Sequence, residues 1–213
     1  VINSMIFAMV PVGIIYVLSP IMKSPATLIL AGTAVSYLFS SITSIILVTN
    51  SEESLTSVYQ WQVGSFTDLS WDAIPIPFVV CLVGSVMLFL MSGKMNLMSL
   101  DDKDAKALGL DGEKLRLICL IVLSFMVSSI ISFVGIIGFV GLIIPHMVRL
   151  TISSDNRFVI PASVCIGAAF LLGCDIISRA IDVSSTVPVG VVTAFIGSPI
   201  FLYLIIRGKR EIW

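Results

Sequence analysis

Seven stretches of the chain, about 1–18, 27–49, 74–92, 117–134, 137–150, 159–178 and 188–207, are predominantly apolar and carry at most one charged side chain each. A bilayer core about 30 Å thick needs roughly 20 apolar residues of helix to cross it. These stretches therefore predict an all-α polytopic membrane protein, a single transmembrane domain over 1–213 with about seven crossings. The composition agrees: 57% of the residues are hydrophobic and 12% charged, with a mean hydropathy of +1.10, far from the balance of a soluble domain. The fifth stretch is the exception to the ruler. About a dozen residues run from Phe139 to Leu150, which at 1.5 Å per residue is about 18 Å. It is expected to be a half-helix buried against its neighbours, or to turn inside the membrane where protein or water covers the backbone.

The charges orient the chain. If the first stretch runs from outside to inside, Lys23, Lys94, Lys103, Lys106, Lys114, Arg116, Arg149, Arg157, Arg207, Lys209 and Arg210 all fall on the inner side, leaving Arg179 outside. Eleven of the twelve basic residues on one face is a positive-inside pattern, and it predicts a cytoplasmic C-terminus. Removing one crossing would scatter them over both faces. No acidic or basic tail points to nucleic acid.

Two connections are long enough to hold structure. The outer one, 50–73, mixes Glu52, Glu53, Asp68 and Asp72 with Tyr59, Trp61 and Trp71. It suits an aromatic belt with solvated acids, or a wall of a pathway mouth. The inner one, 99–116, reads SLDDKDAKALGLDGEKLR. Ser99 can cap a helix over about 100–108 whose first turn holds Asp101 and Asp102, and Gly109 can end it in the left-handed conformation. A second short turn is expected near Asp111.

The stretch Gly135–Leu150, GIIGFVGLIIPHMVRL, places Gly135, Gly138 and Gly141 at three-residue spacing, so that one helical face would let two backbones approach closely. Pro145 should bend or end a helix nearby, since it lacks an N–H. His146, the one histidine of the chain, has no cysteine or carboxylate in its motif; a hydrogen bond across helices beside the proline is the expected role, not a metal. Arg149 is expected to snorkel to the headgroups. Pro188, Gly190, Thr193, Gly197 and Pro199 mark the last crossing as kinked and closely packed. Cys81, Cys119, Cys165 and Cys174 lie in apolar stretches without CxxC spacing, and read as plain buried or lipid-facing side chains. Asp175 and Arg179, at i and i+4 near the outer end of the sixth crossing, can neutralise each other.

Taken together, Gly138-Phe139-Val140-Gly141-Leu142-Ile143-Ile144-Pro145-His146 with Arg149, Asp155-Asn156-Arg157, Pro188-Val189-Gly190-Val191-Val192-Thr193-Ala194 and Gly197-Ser198-Pro199 resemble the FecCD permeases. These are the membrane subunits of ABC importers for iron-siderophores, haem and cobalamin. The resemblance covers nearly the whole chain. Members have ten helices and run about half again as long, so it implies that these residues are the C-terminal part of such a permease and that an N-terminal portion is absent.

The resemblance also implies partners and sites. Leu100, Ala105, Lys106, Ala107, Leu108, Gly109 and Leu110 would form the coupling segment that rests on a separate ATPase, with Asp155 and Arg157 on a nearby inner turn touching it too. Asn156 stands where many relatives have histidine, which argues against a role that needs an ionisable group there. Arg179, with Asp175, would meet an acidic side chain of an extracytoplasmic substrate-binding protein. A second permease copy would complete the path as a homodimer. The residues call for no cofactor and no metal, and no Walker A sequence occurs, so ATP hydrolysis would belong to the ATPase subunit. Two other readings stay open from the residues alone: an ion-coupled carrier or channel, which would require paired carboxylates or unwound helix ends at mid-membrane, and a purely structural membrane subunit.

Overall fold

The structure is a computed structural model, and it describes residues 2–18, 25–49, 52–67, 69–98, 108–181 and 187–208. Among them are eight α-helices: α1 (Ile2–Leu18), α2 (Pro25–Thr49), α3 (Glu52–Val63), α4 (Pro75–Leu97), α5 (Gly112–Val134), α6 (Val140–Thr151), α7 (Asn156–Ile181) and α8 (Val189–Gly208), with a short 3₁₀ turn at Trp71–Ala73. Seven of the eight answer to the seven apolar stretches, and the eighth, α3, forms within the outer connection. Four reach the length and apolarity of a crossing: Leu30–Thr49, Trp71–Leu97, Gly112–Val134 and Asn156–Ile181. The other three, in α1, α6 and α8, are shorter apolar helices. This is an all-helical, multi-pass membrane fold.

Capping explains where the helix boundaries depart from the apolar stretches. Helix α5 begins at Gly112, five residues before the apolar stretch, because the Asp111 carboxylate accepts the Lys114 backbone N–H at 3.2 Å and fixes the first turn. Asp111 is thus the cap of α5 and no separate short turn exists there. Helix α4 starts with Pro75, whose missing N–H is no loss at that position. Helix α6 continues through Pro145 to Thr151, so the proline does not end it.

The face of three glycines does not form. Gly135 and Gly138 lie in the extended linker between α5 and α6, and Gly141 falls in the first turn of α6. A Cβ at Gly138 or Gly141 would meet nothing within 4 Å. Close approach occurs instead between distant segments. A Cβ on Gly135 would overlap the Trp61 carbonyl and stand 3.1 Å from Gly64 Cα; one on Gly190 would overlap the Val63 carbonyl and stand 3.1 Å from the Ile136 oxygen. Gly64 and Gly135 take φ of +72° and +77°, which side-chain-bearing residues avoid. At this crossing the end of α3, the end of α5 and the start of α8 touch backbone to backbone. Ser65 donates to Val134 O at 2.9 Å, Ile136 to Trp61 O at 3.2 Å, and Gly190 to Gly64 O at 3.1 Å. The Trp61 indole N–H adds a bond to Ile131 O at 2.9 Å, so Trp61 is a clamp on α5 and not merely a belt residue.

Helix α6 is the buried centre of its neighbourhood. Ile144 and Val148 pack with Val159 of α7, and Ile143, at 1% exposure, is equally enclosed. It is a half-helix covered by α7 and α8, as its length required. Phe139, which precedes it, takes φ +69°, a conformation that costs a non-glycine residue on the order of 1–3 kcal/mol. Gly197 of α8 makes room there, since a Cβ would come within 2.9 Å of Phe139 Cβ and 2.8 Å of Ile143 Cδ1. Hydroxyls join α1 to α5, through Ser4 and Ser132, and α7 to the segment before α8, through Ser178 and the Val187 carbonyl.

Candidate functional site

Helices α4 and α7 run antiparallel to each other, and the hydrogen bonds between their ends put Leu97 and Asn156 at the same end of the bundle. Lys94, Lys114, Arg116, Arg149 and Arg157 collect at that end and Arg179 at the opposite one, the grouping the charge pattern requires.

At the basic end, the α6–α7 turn is bound from two sides. From α6, Arg149 Nη1 donates to Ser154 O at 3.2 Å and Nη2 to Asn156 Oδ1 at 2.8 Å; this arginine ties the turn instead of reaching to headgroups. From α4, Asn96 Nδ2 donates to Asp155 Oδ1 at 2.6 Å, and Asn96 Oδ1 accepts the Asn156 backbone N–H at 2.9 Å. Asp155 also accepts the Arg157 N–H at 2.9 Å. The Arg157 backbone N–H, and then the Asn96 amide, hold the Asp155 carboxyl below its ordinary pKa. Asp111 is likewise held low, chiefly by the Lys114 backbone N–H, with the Lys114 ammonium at 3.2 Å.

Of the expected coupling residues, Leu100, Ala105, Lys106 and Ala107 lie outside the described residues. Leu108 and Gly109 form an exposed turn and Leu110 is half-buried; Gly109 takes φ +78°, the left-handed conformation expected of it, in open space. Asp155 is half-buried and Arg157 exposed, both on the same end as this turn. The helix expected over 100–108 falls almost wholly outside the described residues. Asn96, at the centre of the network, carried no sequence signal beyond being a polar residue at a helix end.

At the opposite end, Arg179 Nε meets Asp175 Oδ2 at 2.9 Å, with the arginine side chain 54% and the aspartate side chain 23% exposed. Pro188 precedes α8, Gly190 lies in its first turn, and Gly197 and Pro199 lie within it. A cleft of about 710 Å³ opens between α3 and α8, lined by Gln62, Val63, Ile136 and Gly190 and by Phe195, Ser198 and other residues of α8. Beside Pro145, the His146 Nε2 is buried with no hydrogen-bond partner among the described residues, so the cross-helix bond expected of it is not made through that atom. No group of three His, Cys, Asp or Glu able to hold a metal occurs among the described residues.

Helix α2 carries an exposed feature whose signal lies in the sequence. None of its residues 30–49 is fully buried, and Thr33, Ser36, Ser40 and Ser44 recur along it at helical spacing. The Thr33, Ser36 and Ser44 hydroxyls each donate to a carbonyl three or four residues back, at 2.8–2.9 Å. Those three donors are spent and their oxygen lone pairs remain, so that with Ser40 they form a mildly polar seam along the helix.

Relatives exist among characterised proteins and solved structures. The chain is 38% identical over 180 residues, 84% of its own length and 48% of the relative's, to the cobalamin import system permease protein BtuC of Halobacterium salinarum. It is 35% identical over 189 residues, 88% of its length and 56% of the relative's, to the molybdate import system permease protein MolB of Haemophilus influenzae. It superposes with a TM-score of 0.84 and 34% identity, over 92% of this chain and 63% of the other, on a metal-chelate type ABC transporter in an inward-facing conformation. The chain spans about half the length of the curated relatives it matches. The model of the FecCD transport family matches residues 1–207, and the chain belongs to that family.

Proposed function

We propose that this chain is part of a permease subunit of an ABC importer, moving an iron chelate (siderophore or haem) or cobalamin across the cytoplasmic membrane under power from a separate ATPase. The observation that carries this is the build of the basic end: an exposed Leu108–Gly109 turn and the braced Asp155 turn at one end of a bundle belonging to the FecCD family. Residues 99–110 and the Asp155–Arg157 turn are the contact surface for the ATPase, with Leu108 as an apolar plug and Gly109 allowing the sharp reversal. The C-terminus lies in the cytoplasm with this surface. Arg179, already half-neutralised by Asp175, offers its exposed guanidinium edge to a carboxylate of a substrate-binding protein outside.

A second copy completes the path. Helix α2, with its seam of hydroxyls and none of its residues 30–49 fully buried, is the wall this chain contributes. Relatives named for cobalamin and for molybdate are 38% and 35% identical to this chain, which favours a substrate choice made chiefly outside the spans, by the binding protein. The ion-coupled alternative receives no support: the one described ion pair within a long apolar helix, Asp175–Arg179, stands near an edge and not at mid-membrane.

The test is reconstitution of the full-length permease with its ATPase and binding protein in liposomes. Substrate-stimulated ATP turnover, lost on Leu108→Asp and kept on Leu142→Ala, is the expected result. Turnover indifferent to Leu108→Asp removes the coupling role, and ATP-independent uptake driven by an ion gradient establishes the alternative.

A further inference from the structure

The described residues place one polar joint between two inner segments that are remote in sequence. Asn96 stands three residues before the inner connection begins at Ser99, and its amide is used at both ends, giving a hydrogen bond to Asp155 Oδ1 (2.6 Å) and taking one from the Asn156 backbone N–H (2.9 Å). Its orientation is dictated by chemistry, because an ionised carboxylate can only accept and a backbone N–H can only donate. The bond from Asn156 satisfies one of the free donors at the start of α7, so α4 supplies a cap to a helix it is not part of. Arg149 grips the same turn from α6. The Arg157 guanidinium lies over Gly93, one turn back along α4, where a Cβ would stand 3.3 Å from Nη2.

We propose that Asn96 is a positioning residue that locks the inner end of α4 to the α6–α7 turn, so that the end of α4 and the Asp155 turn present one rigid surface to the ATPase. This rests on the permease reading above. A push delivered at the end of α4 would reach α7 directly through Asn96 and α6 through Arg149, without waiting for the bundle to deform. A free turn would absorb the push instead. One bond of the joint is to a carboxylate, the stronger class of hydrogen bond, and Asn156 is 6% exposed, which keeps water from competing for the other.

The experiment exchanges the two partners in the full-length permease, reconstituted with its ATPase and binding protein, and reads substrate moved per ATP hydrolysed. Asn96→Asp keeps an acceptor for the Asn156 N–H but sets a carboxylate against Asp155. Asn96→Asp with Asp155→Asn removes the like-charge contact and restores a donor–acceptor pair; because Asp155 Oδ1 takes both the Asn96 and the Arg157 bonds, the amide introduced at position 155 turns about its χ2 to give its nitrogen to the carboxylate and keep its oxygen on the Arg157 N–H. The single change is expected to lower the ratio about threefold or more, and the exchange to restore most of it, as for residues coupled through one contact. A single variant with the wild-type ratio, or an exchange no better than the single, overturns the proposal. Should Asn96→Asp fail to assemble, Asn96→Ala serves: its ratio must fall while it still captures the ATPase in a pull-down, and an unchanged ratio overturns the role. A wild-type complex without substrate-stimulated turnover defeats the permease reading and this role with it. A working wild type with an indifferent Asn96→Asp defeats the joint alone.

Discussion

Gly190→Ala is the sharpest test of the backbone crossing at the outer end. The methyl would overlap the Val63 carbonyl oxygen and stand 3.0 Å from its carbon and 3.1 Å from the Ile136 oxygen, where ordinary contact begins at 3.4 Å. All three atoms belong to main chain, so no rotamer change relieves them, and α8 must withdraw from α3. Withdrawal stretches the Gly190 N–H bond to Gly64 O, now 3.1 Å, at a site where Gly190 is buried. An overpacked contact costs about 1–3 kcal/mol and an unmade buried hydrogen bond about 1–3 kcal/mol, which together give roughly 2–6 kcal/mol. The control is Gly141→Ala, where a Cβ meets nothing within 4 Å and helix propensity favours alanine by about 0.8–1.0 kcal/mol. Thermal melting of the two purified variants in one detergent should put Gly190→Ala well below wild type and Gly141→Ala at or above it. Equal melting temperatures for the two would refute the crossing.

Three further outcomes follow from the same geometry. Ile144→Ala, at a site 2% exposed between α6 and α7, should cost about 2 kcal/mol, the low end of the range for such truncations, because in a bilayer the unfolded reference is already in hydrocarbon and mainly the cavity term remains; chemical denaturation in micelles reads it. Asp155 has its folded pKa depressed, so its contribution is fully present above the unfolded value of about 4 and is lost as pH falls through the lower folded value; melting between about pH 6 and 3 should decline more steeply for wild type than for Asp155→Asn. Arg179→Ala breaks an exposed i,i+4 pair and should shift stability by no more than about 0.5 kcal/mol, so a strong loss of binding-protein-stimulated ATP turnover in that variant reports docking and not unfolding.

The apolar runs made the spans legible because lipid demands length and apolarity from each helix independently of its neighbours. Boundaries were less so. Helix α7 extends to Asn156 and Arg157, and α5 to Gly112, since capping by Asp155 and Asp111 prolongs a helix into polar residues that a hydropathy reading assigns to loops. The glycines show the deeper limit. Three at regular spacing suggested one helical face, yet Gly135 meets Trp61 and Gly64, about seventy residues away, while Gly138 and Gly141 meet nothing among the described residues. Trp61 looked like a belt residue because its partner, the Ile131 carbonyl, is seventy positions on. Asn96 was invisible for the same reason, its partners lying 59 and 60 residues downstream. What a residue type needs is readable locally; which distant atom provides it depends on the packing.

The proposed permease role requires residues 99–110 to face the compartment that holds the ATPase. In a full-length permease with Cys81, Cys119, Cys165 and Cys174 replaced, Lys103→Cys and Asp72→Cys place single thiols in the inner and outer connections, and a membrane-impermeant maleimide reads their sides. Position 72 is expected to be labelled in intact cells and position 103 only after permeabilisation. Labelling of position 103 from outside intact cells would contradict it.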